Sequence, residues 1–249
     1  MSNRLTKWIG SDESGKGDYF GPLVIVAVLV NTVSAESLAQ LGVKDSKRLS
    51  DKSVRELAGE IKTKCPHSVV AIGPRRYNEL YSKIGNLNHL LAWGHCRAIE
   101  NILEKEECNY ALADQFGDEK FIVGALMEKG KQITVEQRIK AESNVGVAAA
   151  SILARAEFVL RLTMLSEEYG MEFPKGASAA VILAGKDFAR RYGGQRLGEV
   201  AKLHFKTTKS VLENQSPGGR HGGSSQPNES IHHPGRYHQT GHRRDSQCG

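Results

Sequence analysis

The chain has 249 residues, of which 39% are hydrophobic, and its formal net charge is +6 at pH 7. This length fits one large domain or one domain with an appendage, and the mild positive charge suits a nucleic-acid partner or a basic protein without one. The first residues lack the apolar core of a secretory signal, and the longest apolar run (23–30) is too short to cross a bilayer. The four cysteines are scattered, as is usual in a reducing compartment. We therefore expect a cytoplasmic protein with no membrane segment.

The first two predicted elements are strands at 7–13 and 23–31. The segment between them is rich in Gly, Asp and Pro and is too short for a helical crossover, which predicts an antiparallel hairpin. Next come a predicted helix capped by Ser50 and running to Lys64, a strand at 68–72, a short helix opened by Pro74 and a long helix at 87–107. A strand at 110–114, a further helix and a strand at 132–135 follow. The last predicted elements are a long alanine-rich helix capped by Ser143 and running to Tyr169, and helices at 178–191 and 195–209.

This order of elements predicts an α/β fold. Because the sheet starts with an antiparallel hairpin, we expect a mixed central sheet flanked by helices, with further helices near the C-terminal end.

Composition changes near residue 214, since 215–249 contains almost no aliphatic residues but five of the nine histidines. Such a segment cannot bury enough apolar surface to offset its ordering entropy. We therefore predict a folded domain at 1–214 and a disordered tail at 215–249.

The stretch GSDESGKG at 10–17 is one residue short of the phosphate-binding signature G-x-x-x-x-G-K-[ST]. Gly17 has no hydroxyl to offer a metal, and the carboxylates of Asp12 and Glu13 would repel a phosphate. The segment after it leads into a strand, whereas a phosphate loop needs a helix whose amides face the phosphates. These departures argue against a nucleotide cofactor and leave a nucleotide hydrolase as a disfavoured alternative.

Acidic residues recur where predicted elements end. Asp12 and Glu13 lie at the end of the first strand, Asp114 ends the strand YALAD, and Glu142 immediately precedes Ser143. A solvated turn would explain the first pair alone, and a favourable helix-dipole interaction would explain Glu142 alone. Divalent cations compensate clustered carboxylates well, because Mg²⁺ prefers carboxylate oxygens, water and phosphate. Together the four acids resemble the carboxylate set of a two-metal phosphodiester hydrolase.

The chain resembles the type 2 ribonucleases H, and ribonuclease HIII more than ribonuclease HII. The resemblance covers nearly all of residues 5–212. Its carrying segments are GSDESGKGDYFGPL (10–23), VKDSKRLSDK (43–52), YNELYSKIGNLNHLLAWGHCRAIE (77–100), LADQF (112–116), KAESNVGVAAASILARAEF (140–158) and AKLHFKTT (201–208). The resemblance implies an RNase H-like fold and cleavage of the RNA strand of RNA–DNA hybrids with Mg²⁺ or Mn²⁺, leaving 3′-hydroxyl and 5′-phosphate ends.

The same resemblance implies the roles of the acids. Asp12, Glu13 and Asp114 match the family's metal ligands. Glu142 matches the fourth catalytic acid, which is usually Asp in ribonuclease HII and Glu in ribonuclease HIII. We therefore expect these four residues to form the active site.

The resemblance also implies the substrate-binding residues. Gly15, Lys16 and Gly17 match a loop whose backbone senses ribose 2′-hydroxyls, the groups that distinguish RNA from DNA. Ser46 and Lys47 match a segment placed for phosphate contacts, and the local excess of basic residues agrees with that role. A solvated approach to a helix would explain the basic cluster equally well.

The expected partner is an RNA–DNA hybrid duplex, and a monomer is the simplest assembly. Ribonuclease HIII usually carries an N-terminal substrate-binding domain, whereas the catalytic motif here begins ten residues from the start, so either that domain is absent in this lineage or the chain is truncated. A hypothesis is that tail arginines partly compensate, namely Arg220, Arg236, Arg243 and Arg244. Two other functions remain open: a ribonuclease HII activity that incises at single ribonucleotides in duplex DNA, and a catalytically silent hybrid-binding module.

Overall fold

The computed structural model describes residues 6–43 and 49–213. One five-stranded sheet forms the centre, in the order β3-β2-β1-β4-β5. Its strands are β1 (Lys7–Ser14), β2 (Leu23–Asn31), β3 (His67–Ile72), β4 (Tyr110–Asp114) and β5 (Thr134–Arg138). The pairs β1–β2 and β2–β3 are antiparallel, whereas β1–β4 and β4–β5 are parallel. The predicted mixed sheet with an initial hairpin is therefore confirmed.

Eight α-helices in the described residues surround this sheet. They are α1 (Thr32–Gln40), α2 (Asp51–Lys64), α3 (Pro74–Ile84), α4 (Leu87–Leu103), α5 (Glu119–Ala125), α6 (Val145–Tyr169), α7 (Ala179–Tyr192) and α8 (Thr207–Leu212). Short 3₁₀ turns lie at Gly130–Gln132, Ala141–Ser143 and Gly194–Glu199. Within the described ranges, no helix combines the length and the apolar character that a membrane crossing requires.

Strand β2 is apolar on both faces because both faces of the sheet are covered. Alternate side chains point in opposite directions along a strand. Val24 and Val26 therefore join the core under α6 and α2, while Leu23 and Ile25 join a second core under α4. This explains why β2 forms one continuous hydrophobic run, as strands buried on both faces do.

Strand β1 lies directly against the start of α6. At Gly10 the two backbones touch, since a Cβ at this position would lie 2.1 Å from the carbonyl carbon of Gly146 and 2.2 Å from the amide nitrogen of Val147. Only glycine allows this approach. The contact brings the N-terminal end of α6 to the strand that carries Asp12 and Glu13.

Several predicted boundaries are corrected. Helix α4 ends at Leu103 rather than at 107, and β5 spans Thr134–Arg138 rather than 132–135. Ser143 does not cap α6, because it lies in the preceding 3₁₀ turn; the cap is Asn144, whose side chain accepts hydrogen bonds from the amides of the first turn. Helix α1 was not predicted, and Asn31 starts it through a capping box with Ser34.

The predicted helix at 195–209 is wrong. Its first part is the 3₁₀ turn Gly194–Glu199 and its last part belongs to α8. Between them, Ala201 forms a β-bridge with Phe20, and the amide of Lys202 donates to the carbonyl of Tyr19 at 2.9 Å. These bonds to a distant loop hold the segment out of a helix. Ser46, Lys47 and the predicted tail at 215–249 lie outside the described residues.

Candidate active site

The carboxyl ends of two neighbouring parallel strands bring the predicted acids together. Ser11 of β1 is in register with Ala113 of β4, so Asp12 and Asp114 follow at adjacent positions of one sheet edge. Glu13 comes next on β1. Ligand sites in α/β sheets typically lie at this edge, outside the carboxyl ends of the strands.

The 3₁₀ turn Ala141–Ser143, which contains Glu142, lies beside the same edge. The carboxylate of Asp114 accepts a hydrogen bond from the amide of Ala141 at 3.0 Å, which fixes that turn beside β4. Lys140, the residue before the turn, has a φ of 56°. A left-handed conformation is costly for a non-glycine residue, and such strain is often found at functional sites.

Asp12 lies in an unfavourable environment for a negative charge. Burial, the neighbouring carboxylate of Glu13 and the more distant one of Asp114 together raise the pKa of Asp12 to about 7. Hydrogen bonds from the Ser151 hydroxyl and from the amide of Glu13, the latter at 2.8 Å, oppose this rise only in part. Clustered carboxylates shift one another's pKa upward in this way unless a cation compensates them.

Glu13 has the opposite balance. Burial opposes its ionisation, but a hydrogen bond and the charge of His95, together with Lys16, lower the pKa of Glu13 below its ordinary value. Nε2 of His95 lies 3.2 Å from Oε2 of Glu13, and Nζ of Lys16 lies 3.3 Å from Oε1. Glu13 is therefore held as a carboxylate with a partner at each oxygen.

The acids fit a divalent cation. In 6–43 and 49–213, no three His, Cys, Asp or Glu side chains converge closely enough to enclose a metal ion by themselves. Mg²⁺ is usually held by one or two carboxylates together with waters and substrate phosphates, so it does not need such a cage. Asp12 and Asp114, with the turn of Glu142 beside them, provide that donor set. The raised pKa of Asp12 marks negative charge that a cation would offset.

The loop after β1 is shaped by one obligatory glycine and one dispensable one. Gly15 has a φ of 87°, and a Cβ there would lie 2.2 Å from the carbonyl oxygen of Pro22 and 2.9 Å from the ring of Phe158. Gly17 is exposed, and a Cβ there would meet no described atom within 4 Å. The chain itself therefore requires glycine at 15, whereas the surface at 17 is open to a ligand. The element that follows this loop is strand β2, as predicted, and not the helix that a phosphate loop requires.

A buried lysine holds the next part of this loop. Nζ of Lys202 donates to the carbonyl oxygens of Asp18 and Gly21, both at 2.8 Å. Burial lowers the pKa of Lys202 to about 7, although the carboxylate of Asp18 acts in the opposite direction. The Asp18 carboxylate also accepts from the amide of Gly176 at 2.6 Å. The loop is thus bonded to two segments near the end of the fold.

Three residues of this site were not predicted: His95, Ser151 and Lys202. Each lies within a segment that carries the family resemblance. For His95 the sequence did contain a signal, because it stands four residues after Leu91 and four before Ile99, on the apolar face of α4. A polar residue in the middle of an apolar helix face requires a buried partner.

The sheet order, with helices on both faces and acids at one strand edge, defines an RNase H-like fold with a candidate two-metal nuclease site. A family model, ribonuclease HII, matches residues 9–208, and the chain belongs to that family. Ribonuclease HIII of Protochlamydia amoebophila is 48% identical over 208 residues, which are 84% of this chain and 69% of that protein.

Solved structures agree with this assignment. Bst-RNase HIII in complex with Mn²⁺ superimposes with a TM-score of 0.79 at 35% identity, covering 84% of this chain and 70% of that one. The RNase HII of Archaeoglobus fulgidus, solved in a complex with PCNA, gives a TM-score of 0.69 at 28% identity and covers 80% of this chain and 95% of that one. The resemblance and the fold class inferred from the sequence are both confirmed.

Proposed function

We propose that this protein is an endoribonuclease that cleaves the RNA strand of RNA–DNA hybrids by metal-dependent hydrolysis, leaving 3′-hydroxyl and 5′-phosphate ends. The observation that carries the proposal is the convergence of Asp12 and Asp114 at one sheet edge, where burial and neighbouring carboxylates raise the pKa of Asp12 to about 7. Relatives named ribonuclease HIII support this activity. The Mn²⁺ complex of Bst-RNase HIII supports a requirement for Mg²⁺ or Mn²⁺.

In this proposal Asp12, Glu13 and Asp114 hold the divalent ions, and Glu142 completes the site. When bound, such ions activate water for attack on a phosphodiester and stabilise the charge that develops on the leaving oxygen. The chain's own contribution is to orient the carboxylates and to offset, in part, the cost of burying their charge. The hydrogen bond from Ser151 favours the charged form of Asp12. The amide of Ala141 orients Asp114.

Substrate recognition is proposed for the loop 15–17 and for Ser46 and Lys47. Gly15 gives the loop a left-handed turn, and the open surface at Gly17 gives a ribose room to approach. Nζ of Lys16 is already paired with Glu13, so we assign recognition to the loop backbone more than to this ammonium group. The proposed catalytic domain spans 1–214, and its contents are consistent with the family match over 9–208.

We propose a monomer, as the simplest assembly. We also propose that the protein acts in the cytoplasm, where scattered unpaired thiols are kept reduced. The described cysteines Cys65, Cys96 and Cys108 are buried and free, in keeping with such a compartment.

The decisive experiment compares two duplexes with Mg²⁺ and with Mn²⁺. One carries a run of at least four ribonucleotides and the other carries a single embedded ribonucleotide. We expect cleavage within the run and little incision at the single ribonucleotide, because the relatives named above are HIII enzymes. Preferential incision at the single ribonucleotide would favour the ribonuclease HII alternative, and metal-dependent binding without cleavage would favour a silent binding module.

The acids are tested by Asp12→Asn and Asp114→Asn. Each should lower kcat on the hybrid by on the order of 10³-fold or more while leaving the circular dichroism spectrum and hybrid binding nearly unchanged. Asp187→Asn is a matched control, since Asp187 lies on α7 and pairs with Arg191 at 2.7 Å, away from the proposed ligands. Normal cleavage by Asp12→Asn would refute the metal-ligand assignment.

A further inference from the structure

His95 is buried completely inside the protein, and both of its ring nitrogens face the strand that carries the proposed metal ligands. Nδ1 lies 2.7 Å from the hydroxyl of Ser11, and Nε2 lies 3.2 Å from Oε2 of Glu13. The fractional exposure of His95 is 0%. A buried polar ring with two partners on one strand is rigidly oriented.

Two further contacts fix the ring. It stacks on Phe116, with 4.8 Å between ring centroids and an interplanar angle of 9°. Ser11 in turn donates to the carbonyl oxygen of Val26 on β2 at 3.0 Å. His95 therefore connects α4, the hairpin and the residues just after Asp114 in one hydrogen-bonded and stacked unit.

One donor in this unit can be assigned from its chemistry. The Ser11 hydroxyl lies within hydrogen-bond distance of both the Val26 carbonyl oxygen and Nδ1 of His95. An ionised carboxylate only accepts, so Nε2–H donates to Oε2 of Glu13. The contact with Glu13 therefore restrains one oxygen of that carboxylate and directs the other toward the loop.

We propose that His95 is a positioning residue for the proposed metal site. It fixes the Glu13 carboxylate in the orientation that binds the divalent cation. The inference rests on the proposed role of Glu13 as a metal ligand. Groups that orient the ligands of a metal site typically contribute 10- to 100-fold to metal affinity or activity, which sets the expected size of the effect.

The test measures Mn²⁺ binding to the metal-free protein by titration calorimetry, with the thermal midpoint of each variant recorded in parallel. The key pair is His95→Gln and His95→Asn. The terminal amide of Gln reaches the position of Nε2 and can still donate to Glu13, whereas the shorter Asn reaches only the position of Nδ1. We expect the Kd for Mn²⁺ to rise about 10- to 100-fold in His95→Asn and only a few-fold in His95→Gln.

A purely structural role predicts a different pattern. Both variants would then lose thermal stability, and the Kd for Mn²⁺ would stay the same in both, which would overturn the proposal. Ser11→Ala provides a second variant if His95→Asn does not fold. It removes the hydrogen-bond partner of His95 Nδ1 and takes away little side-chain volume. We expect Ser11→Ala to weaken Mn²⁺ binding several-fold, and unchanged binding would also overturn the proposal.

Glu13→Gln separates this inference from the proposed function. If Glu13→Gln weakens Mn²⁺ binding and His95→Asn does not, only the positioning role of His95 fails. If Glu13→Gln itself leaves Mn²⁺ binding unchanged, Glu13 is not a ligand and both the assignment and the inference fail.

Discussion

Asp12 and Glu13 are adjacent in the chain but differ in their electrostatics. Burial and two neighbouring carboxylates raise the pKa of Asp12 to about 7, while His95 and Lys16 outweigh burial and lower the pKa of Glu13. The difference arises because successive residues of a strand point to opposite sides and meet different neighbours. Of these two acids, Asp12 is therefore the one whose charge costs the metal-free fold more.

This cost predicts a pH-dependent stability effect of Asp12→Asn. The folded pKa of Asp12, about 7, lies above the ordinary value of 3.8. The folded protein therefore keeps this proton while the unfolded chain loses it, and metal-free wild type loses stability as pH rises from about 4 to 7. At pH 8 without divalent ions, we expect Asp12→Asn to be more stable than wild type by about 1–3 kcal/mol.

The measurement is urea unfolding at pH 4.5 and pH 8, with and without saturating MgCl₂. The advantage of Asp12→Asn should be small at the lower pH and should disappear with Mg²⁺, because the cation stabilises the wild-type carboxylates. Equal stabilities of the two proteins at both pH values in the absence of metal would contradict the assignment of a costly buried charge to Asp12.

Sequence reasoning singled out the acids because each ends a recognisable strand or precedes a recognisable helix, and their role in the site stays a prediction. It did not find the residues that support them, since their roles depend on contacts between distant parts of the chain. His95 meets Glu13 across 82 positions, and Lys202 meets Asp18 across 184. Such pairs have no local pattern, and only the buried polar position of His95 on a helix gave a signal.

At the scale of elements, the start of α6 joins the fold to the site. The side chain of Asn144 accepts from the amide of Gly146 at 2.9 Å and also from Nε1 of Trp8 at 2.9 Å. One residue thus caps the helix and connects it to β1. The helix then presents Ser151 to Asp12.

We expect Asn144→Ala to destabilise the protein by about 1–3 kcal/mol, because it removes the cap and leaves the indole N–H of Trp8 without this acceptor. Asn144→Asp is the matched variant, since its carboxylate can accept the same bonds and is favoured at a helix N-terminus. Thermal and urea unfolding should rank wild type and Asn144→Asp close together, above Asn144→Ala. Equal stability of all three would show that the cap contributes nothing measurable.

The elements that could be predicted are those specified by local patterns. The bounds of β2 and β4 match the prediction, because each is a short apolar run with clear turn signals on both sides. The helix predicted at 195–209 failed because the apolar residues there, such as Val200 and Ala201, pack under a distant loop instead of forming a helix face. Helix α1 escaped prediction because Thr32 and Val33 are weak helix formers.

At the scale of the whole molecule, two apolar layers cover the two faces of one sheet. The layer under α6 extends to Val211. The segment 215–249 has almost no aliphatic side chains to add. Stability and hybrid binding should therefore respond differently to its removal.

We expect a variant ending at residue 214 to keep its thermal midpoint within about 2 °C of the full chain, since a change of 1 kcal/mol would shift it by about 2–4 °C. If tail arginines contact phosphates, KM for the hybrid should rise at low salt and the dependence of log KM on log salt should become shallower by about 0.9 per lost contact. The matched control is the full chain with Arg220, Arg236, Arg243 and Arg244 changed to Gln. Unchanged KM and salt dependence in both proteins would exclude the tail from substrate binding.

The ammonium group of Lys202 has a consequence for protein synthesis. It bonds to carbonyl groups 184 and 181 positions earlier in the chain, in the loop that follows the acidic strand. During translation that loop leaves the ribosome more than 180 residues before its partner does. Since domains generally fold as units, the nascent chain carries its acids long before their loop is secured. The loop beside the acids is therefore secured only after residue 202 has been synthesised.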